Sequence, residues 1–152
     1  MKSQKGITLI STIMTVILVL IISGLAVTNG METYRNSKVA KFQAYMKMLQ
    51  KKVDIIIEEG TGYSNLGSDL TEEQKTKLRA IITNDGNQNI STTVDELNSI
   101  KLRYFSVSDI EEDFEIKDIQ DEIVINFGKR EVISLNGVEK DGVTHYVEHT
   151  TY

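Results

Sequence analysis

Residues 6–30, GITLISTIMTVILVLIISGLAVTNG, decide how the rest of the chain is read. Within Ile7–Val27, 15 of 21 residues are hydrophobic and none is charged. A helix over this stretch rises roughly 31 Å, near the thickness of a bilayer's hydrocarbon layer, and predicts one membrane span. Lys2 and Lys5 precede it and no acid occurs before Glu32. That bias predicts a cytoplasmic N-terminus and an extracytoplasmic remainder.

Beyond Val27 the chain contains no Pro, and Gly30 costs a helix only about 1 kcal/mol. From Met31 the pattern becomes amphipathic: Tyr34, Phe42, Tyr45, Met46, Leu49, Val53 and Ile56 recur at three- and four-residue spacings. One helix is therefore expected from Ile7 to about Glu58, stopped by Gly60-Thr61-Gly62. Thr71 and Gln74 form a capping box for a short helix to about Thr83, with Leu78, Ile81 and Ile82 inward. Asn84–Asn87 reads as a turn. Strands are expected at Lys101–Val107, Phe114–Lys117, Glu122–Phe127, Glu131–Leu135 and Thr144–Glu148, with turns at Gly128-Lys129-Arg130, Asn136-Gly137 and Asp141-Gly142. Connections this short exclude parallel crossovers. The expected fold class is α+β: a long N-terminal helix, membrane-spanning in its first half, packed on an antiparallel β-meander with a short extra helix. The expected divisions are a leader (1–6), the membrane half of the helix (7–27), its amphipathic continuation (28–59) and an extracytoplasmic globular region (60–152).

Composition removes several classes of function. The 152 residues include no Cys, so disulfide scaffolds, thiolate metal sites and cysteine nucleophiles are excluded. A net charge of −5 argues against direct nucleic-acid binding. No Gly-rich phosphate loop follows a strand and no Gly-x-Ser-x-Gly elbow occurs, so no enzyme and no catalytic residue is expected. His145 and His149 share a strand face but find no third ligand in the sequence.

The opening segment is open to three readings: a cleaved secretory signal ending near Gly24-Leu25-Ala26, a plain signal anchor, or a third. Lys5-Gly6-Ile7-Thr8-Leu9-Ile10 followed by an apolar run resembles the class III signal of type IV prepilins and pseudopilins. The resemblance covers about 20 residues. It implies cleavage by a prepilin peptidase after Gly6 and N-methylation of Ile7, where the family usually has Phe. It also implies the pilin fold and a structural role in a type IV pilus, a competence pseudopilus or a type II secretion-like filament. The implied partners are other pilin or pseudopilin subunits, an assembly platform protein with its ATPase, and the membrane. The implied place is the cell membrane, then a surface filament. Ser11 stands where the family usually has Glu, which suggests a minor subunit. The alternative function is a single-pass membrane-anchored binding or sensor domain.

Two further patterns concern small and charged residues. Thr8, Ser11, Thr12, Thr15 and Ser23 lie roughly on one helix face, where small residues admit a second helix closely, although each hydroxyl can instead bond its own helix. Arg35, Lys38, Lys41, Lys47, Lys51 and Lys52 form a basic block with no acid between Glu32 and Asp54. Asp109–Glu122 holds eight acids, Asp109, Glu111, Glu112 and Asp113 among them. The blocks can join subunits, meet within one chain, touch anionic lipid, or simply be solvated. No cofactor is expected. The acidic run offers oxygens of the kind Ca²⁺ takes, but without EF-hand spacing.

Overall fold

The computed structural model describes residues 4–60, 62–84 and 90–148, and within the first helix the side chains of residues 15–17, 19–20 and 30–58. The chain divides into two compact units, Met1–Lys38 and Val39–Tyr152. Helix α1 (Gln4–Glu58) runs through the boundary.

In the first unit, every described side chain from Gly30 to Lys38 is exposed. In the second, α1 buries Phe42, Met46, Leu49 and Val53, spaced four, three and four apart as one helical stripe. Just past the helix end, Gly60 takes φ 66°, a left-handed conformation that glycine adopts without a Cβ clash.

After a 3-10 turn at Tyr63–Asn65 comes helix α2 (Glu72–Asn84). Its capping box forms as the sequence indicates: the Thr71 amide donates to Gln74 Oε1 at 2.8 Å and the Gln74 amide to Thr71 Oγ1 at 3.4 Å. A second 3-10 turn (Val94–Asn98) leads to strand β1 (Leu102–Phe105), helix α3 (Val107–Phe114), β2 (Ile123–Asn126), β3 (Glu131–Ser134), β4 (Val138–Lys140) and β5 (Val143–His145).

The strands form two antiparallel sheets, a three-stranded β1-β2-β3 and the hairpin β4-β5. Ile123 pairs with Phe105 on one side and Ser134 on the other, which places β2 in the centre. Alternation then sorts the side chains to two faces. Phe105, Ile123, Ile125 and Val132 join the α1 stripe together with Ile110 and Phe114 of α3. Leu102, Tyr104, Val124 and Ile133 pack instead with Leu78 and Ile81 of α2, Leu97 and Val147. Both faces of the sheet are covered, so all four residues of β2 are buried.

Several expectations are corrected. Phe114–Lys117 is no strand: Phe114 closes α3, and Glu115 caps it at φ 57°. The connection from β1 to β2 is therefore helical, not a meander turn. Val138–Lys140 is a strand that the pattern did not announce, paired to Val143–His145 through Asp141 and Gly142, both at positive φ. The largest correction concerns the membrane. Among the described residues no helix is long and apolar enough to cross a membrane. Over residues 30–58 the helix carries Glu32, Arg35, Lys38, Lys41, Lys47, Lys51, Lys52, Asp54 and Glu58, far too many charges for an apolar span. The span expected at Ile7–Val27 and the pilin-like fold class built on it are withdrawn. The fold is mixed α+β, with short helices and two small antiparallel sheets beside α1. The side chains of most of Ile7–Val27 lie outside the described residues, including Ile7, Thr8, Ser11, Thr12 and Ser23, and the backbone of Gly6, from the expected leader, falls within α1.

Candidate association surfaces

Chemistry concentrates in three places, beginning with the exposed apolar stretch of α1 in the first unit. Leu20 is 66% exposed, and Val16, Ile17 and Val19 are each about half exposed. Met31 and Tyr34 are exposed as well, and the Lys38 ammonium lies 5.7 Å from the Tyr34 ring centroid. Large apolar side chains gathered this way mark an association surface more often than isolated ones do.

The second place is the outer side of α1 in the second unit. Lys41, Lys47, Lys51 and Lys52 alternate with the buried stripe, so packing the stripe turns all four outward. Among them sit Met48 and Ile55, 47% and 48% exposed and seven residues apart, two turns along one side of the helix. Among the described residues none of these lysines forms an ion pair, nor do Arg35 or Lys38. The acids at the end of the helix are engaged elsewhere: Arg130 approaches Asp54 at 4.0 Å and Glu58 at 3.7 Å. Gln50 donates to the Arg130 carbonyl at 2.6 Å. The basic block thus ends where this cluster begins.

The third place is the acidic run. Ser106 caps α3, accepting from the Asp109 amide at 3.3 Å, while Asp109 accepts from the Ser106 amide at 2.8 Å. Asp113 accepts from the Gly67 amide at 3.1 Å. Because Ile110 and Phe114 face the core, Glu111 and Glu112 project outward, beside a partly exposed Val107. Further on, the acids turn inward. Glu122 accepts from the Tyr104 hydroxyl at 2.7 Å. Buried Asp121 accepts from the Tyr45 hydroxyl at 3.1 Å, from Asn136 Nδ2 at 2.7 Å and from the Ser134 hydroxyl. The carboxylates considered together for calcium are therefore spread over a helix cap, an outer face and a buried hub. Among the described residues no group of three or more His, Asp or Glu is arranged to hold a metal ion. His145 is half-buried on β5, and His149 lies outside the described residues.

Desolvation and the neighbouring carboxylates raise the pKa of both phenols. Tyr45 is raised well above its ordinary value by desolvation and by Asp121. Tyr104 is pushed up to about 12, by desolvation first and then by its bond to Glu122. Two shallow clefts of about 330 and 350 Å³ lie elsewhere on the surface, one beside Tyr63 and Phe127, the other beside Ile81 and Tyr146. Among the described residues Lys101 is the one charged side chain lining either cleft.

Sequence reasoning found both charge blocks but did not join Met48 and Ile55 to the lysines, although the stripe through Phe42, Met46, Leu49 and Val53 leaves both on the opposite side of the helix. It also missed the Asp121 hub, which joins Ser134 and Asn136 to Tyr45, 76 residues away from Asp121. No family model, curated protein or solved structure matches this chain. The resemblance to type IV pilins and pseudopilins drawn from Gly6–Ile10 is accordingly withdrawn. With it goes the function of a prepilin-type filament subunit in a pilus, a competence system or secretion. The single-pass membrane location, and the membrane-anchored sensor alternative that needs it, fall with the absence of a spanning helix among the described residues.

Proposed function

We propose that this protein is a non-catalytic association module, in which a folded α+β unit carries a helix that packs against the helix of a second copy. The observation supporting this reading is the exposure of Val16, Ile17, Val19 and Leu20 together on α1. Leaving such side chains in water forgoes about 1.5–3 kcal/mol for each one that could be buried, a strong drive toward a helical partner. A second copy supplies the same uncharged surface, and a helix with no charge over Ile7–Val27 has no ionic group to desolvate there.

Sedimentation velocity of the full chain over a range of concentrations tests the reading. The expected result is a mass that rises with concentration and persists in high salt, because apolar association is not screened. In high salt, replacing Ile17 and Leu20, one helical turn apart, by Gln should return the chain to monomer. A chain that is monomeric in high salt, or a variant that associates there as before, rejects the proposal.

A further inference from the structure

A second, independent association surface lies in the Val39–Tyr152 unit. We infer that the lysine face of α1 docks onto the acidic face of α3 in a second copy. It does not rest on the apolar helix packing proposed above.

The argument begins with what each face lacks. Lys41, Lys47, Lys51 and Lys52 share the outer side of α1 and have no acidic partner among the described residues. Glu111 and Glu112 on α3 are exposed and likewise make no ion pair among the described residues. Both helices spend their inner sides on the same core, Phe42, Met46, Leu49 and Val53 from α1 with Ile110 and Phe114 from α3. Their charged sides consequently look outward, and the two blocks do not pair within one copy.

Each face also has an apolar centre. Met48 and Ile55 stand among the lysines, and Val107 stands one turn from Glu111. An apolar patch rimmed by charge is the anatomy of an interface, with the rim setting register and encounter rate. The rim signs are opposite on the two faces, so each complements the other and repels itself. A basic face meeting a basic face is thereby disfavoured, which excludes a symmetric contact through either block alone. The contact left pairs unlike faces, α1 of one copy against α3 of another.

Charge reversal tests this in the full chain carrying Ile17→Gln and Leu20→Gln, which silences the apolar helix contact without adding charge. Association is followed by sedimentation at about 50 and 500 mM salt, where screening lengths differ severalfold. The parent should associate at low salt and dissociate at high salt. Lys41→Glu with Lys52→Glu, and separately Glu111→Lys with Glu112→Lys, should each weaken self-association by about tenfold or more. Mixing the two reversed proteins should restore it, since each then offers the face that the other needs. The chain with all four reversals should associate with itself again, which also shows that the substituted faces remain folded. Loss from the lysine reversal alone would identify a different anionic partner and overturn the proposal. So would a mixture that stays monomeric, or reversals that change nothing. Failure of the apolar contact is read separately, as a salt-resistant mass that Ile17→Gln and Leu20→Gln do not alter.

Discussion

Asp121 concentrates three donors on one buried carboxylate: Tyr45 of α1, 76 residues away, with Ser134 of β3 and Asn136 just beyond it. Removing the acceptor strands those donors, and the penalty for an unsatisfied buried group exceeds the net gain from making the bond. Asp121→Ala should therefore cost about 2–4 kcal/mol of unfolding free energy, and Tyr45→Phe only about 1 kcal/mol, measured by urea denaturation. The same phenols set an alkaline limit. Tyr45 and Tyr104 both have folded pKa values above the ordinary 10.0, Tyr104 at about 12. Their stabilising contribution is complete below pH 10 and is lost as pH rises toward and through 12. The urea midpoint should fall once pH passes 10, and the paired change Tyr45→Phe and Tyr104→Phe should flatten that fall. A wild-type midpoint constant across the range would refute the assignment.

At the scale of elements, the tightest constraint is the docking of the Gly67 turn against β1. Arg103 holds the Leu66 and Gly67 carbonyls at 3.0 Å each, and Ser68 and Tyr104 exchange two backbone bonds of 2.8 Å. Gly67 has φ 56°, and a Cβ there would lie 2.4 Å from the Tyr104 carbonyl oxygen and 2.8 Å from the Phe105 ring. With backbone on both sides fixed, Gly67→Ala should destabilise by about 1–3 kcal/mol in thermal unfolding. Ser106→Ala should cost about 1 kcal/mol through loss of the α3 cap. These two sites also mark how far the sequence could be read. The Thr71–Gln74 box and the glycine stop after Glu58 involve only local chemistry, and both were legible. Helix α3 carried an equally local signature, Ser106 three residues before Asp109 with Ile110 and Phe114 one turn apart, but it is embedded in the acidic run, whose charge density masks the apolar pair. Strand β4 had no such signature: three residues, two of them charged, are held by pairing with β5. The α1 stripe was legible from its spacing, and it leaves Met48 and Ile55 on the lysine side; that Glu111 and Glu112 share an outward helical face was not, because α3 itself was not read.

Across the whole molecule, α1 passes from a stretch with no tertiary cover to one that is locked into a core. Gly30–Lys38 is exposed on every side, whereas Phe42, Met46, Leu49 and Val53 are nearly or completely buried. A helix without packing is held by its own hydrogen bonds alone, which are marginal in water, while a packed stripe opens only with the domain. Amide hydrogen exchange along this single helix should therefore be graded in the dilute protein: fast at residues 30–38, and slow at residues 42–53, where protection approaches the global unfolding free energy. Concentration then separates local from assembled stability. Helix packing between copies would cover the region around Val16–Leu20 and Met31–Tyr34, so protection there should rise with protein concentration while that at residues 42–53 stays unchanged. Ile17→Gln with Leu20→Gln should abolish the rise and leave the core amides as slow as before. Uniform protection along α1 in the dilute protein would mean that the exposed stretch is already covered within one copy. The apolar surface on which the proposed function depends would then not exist.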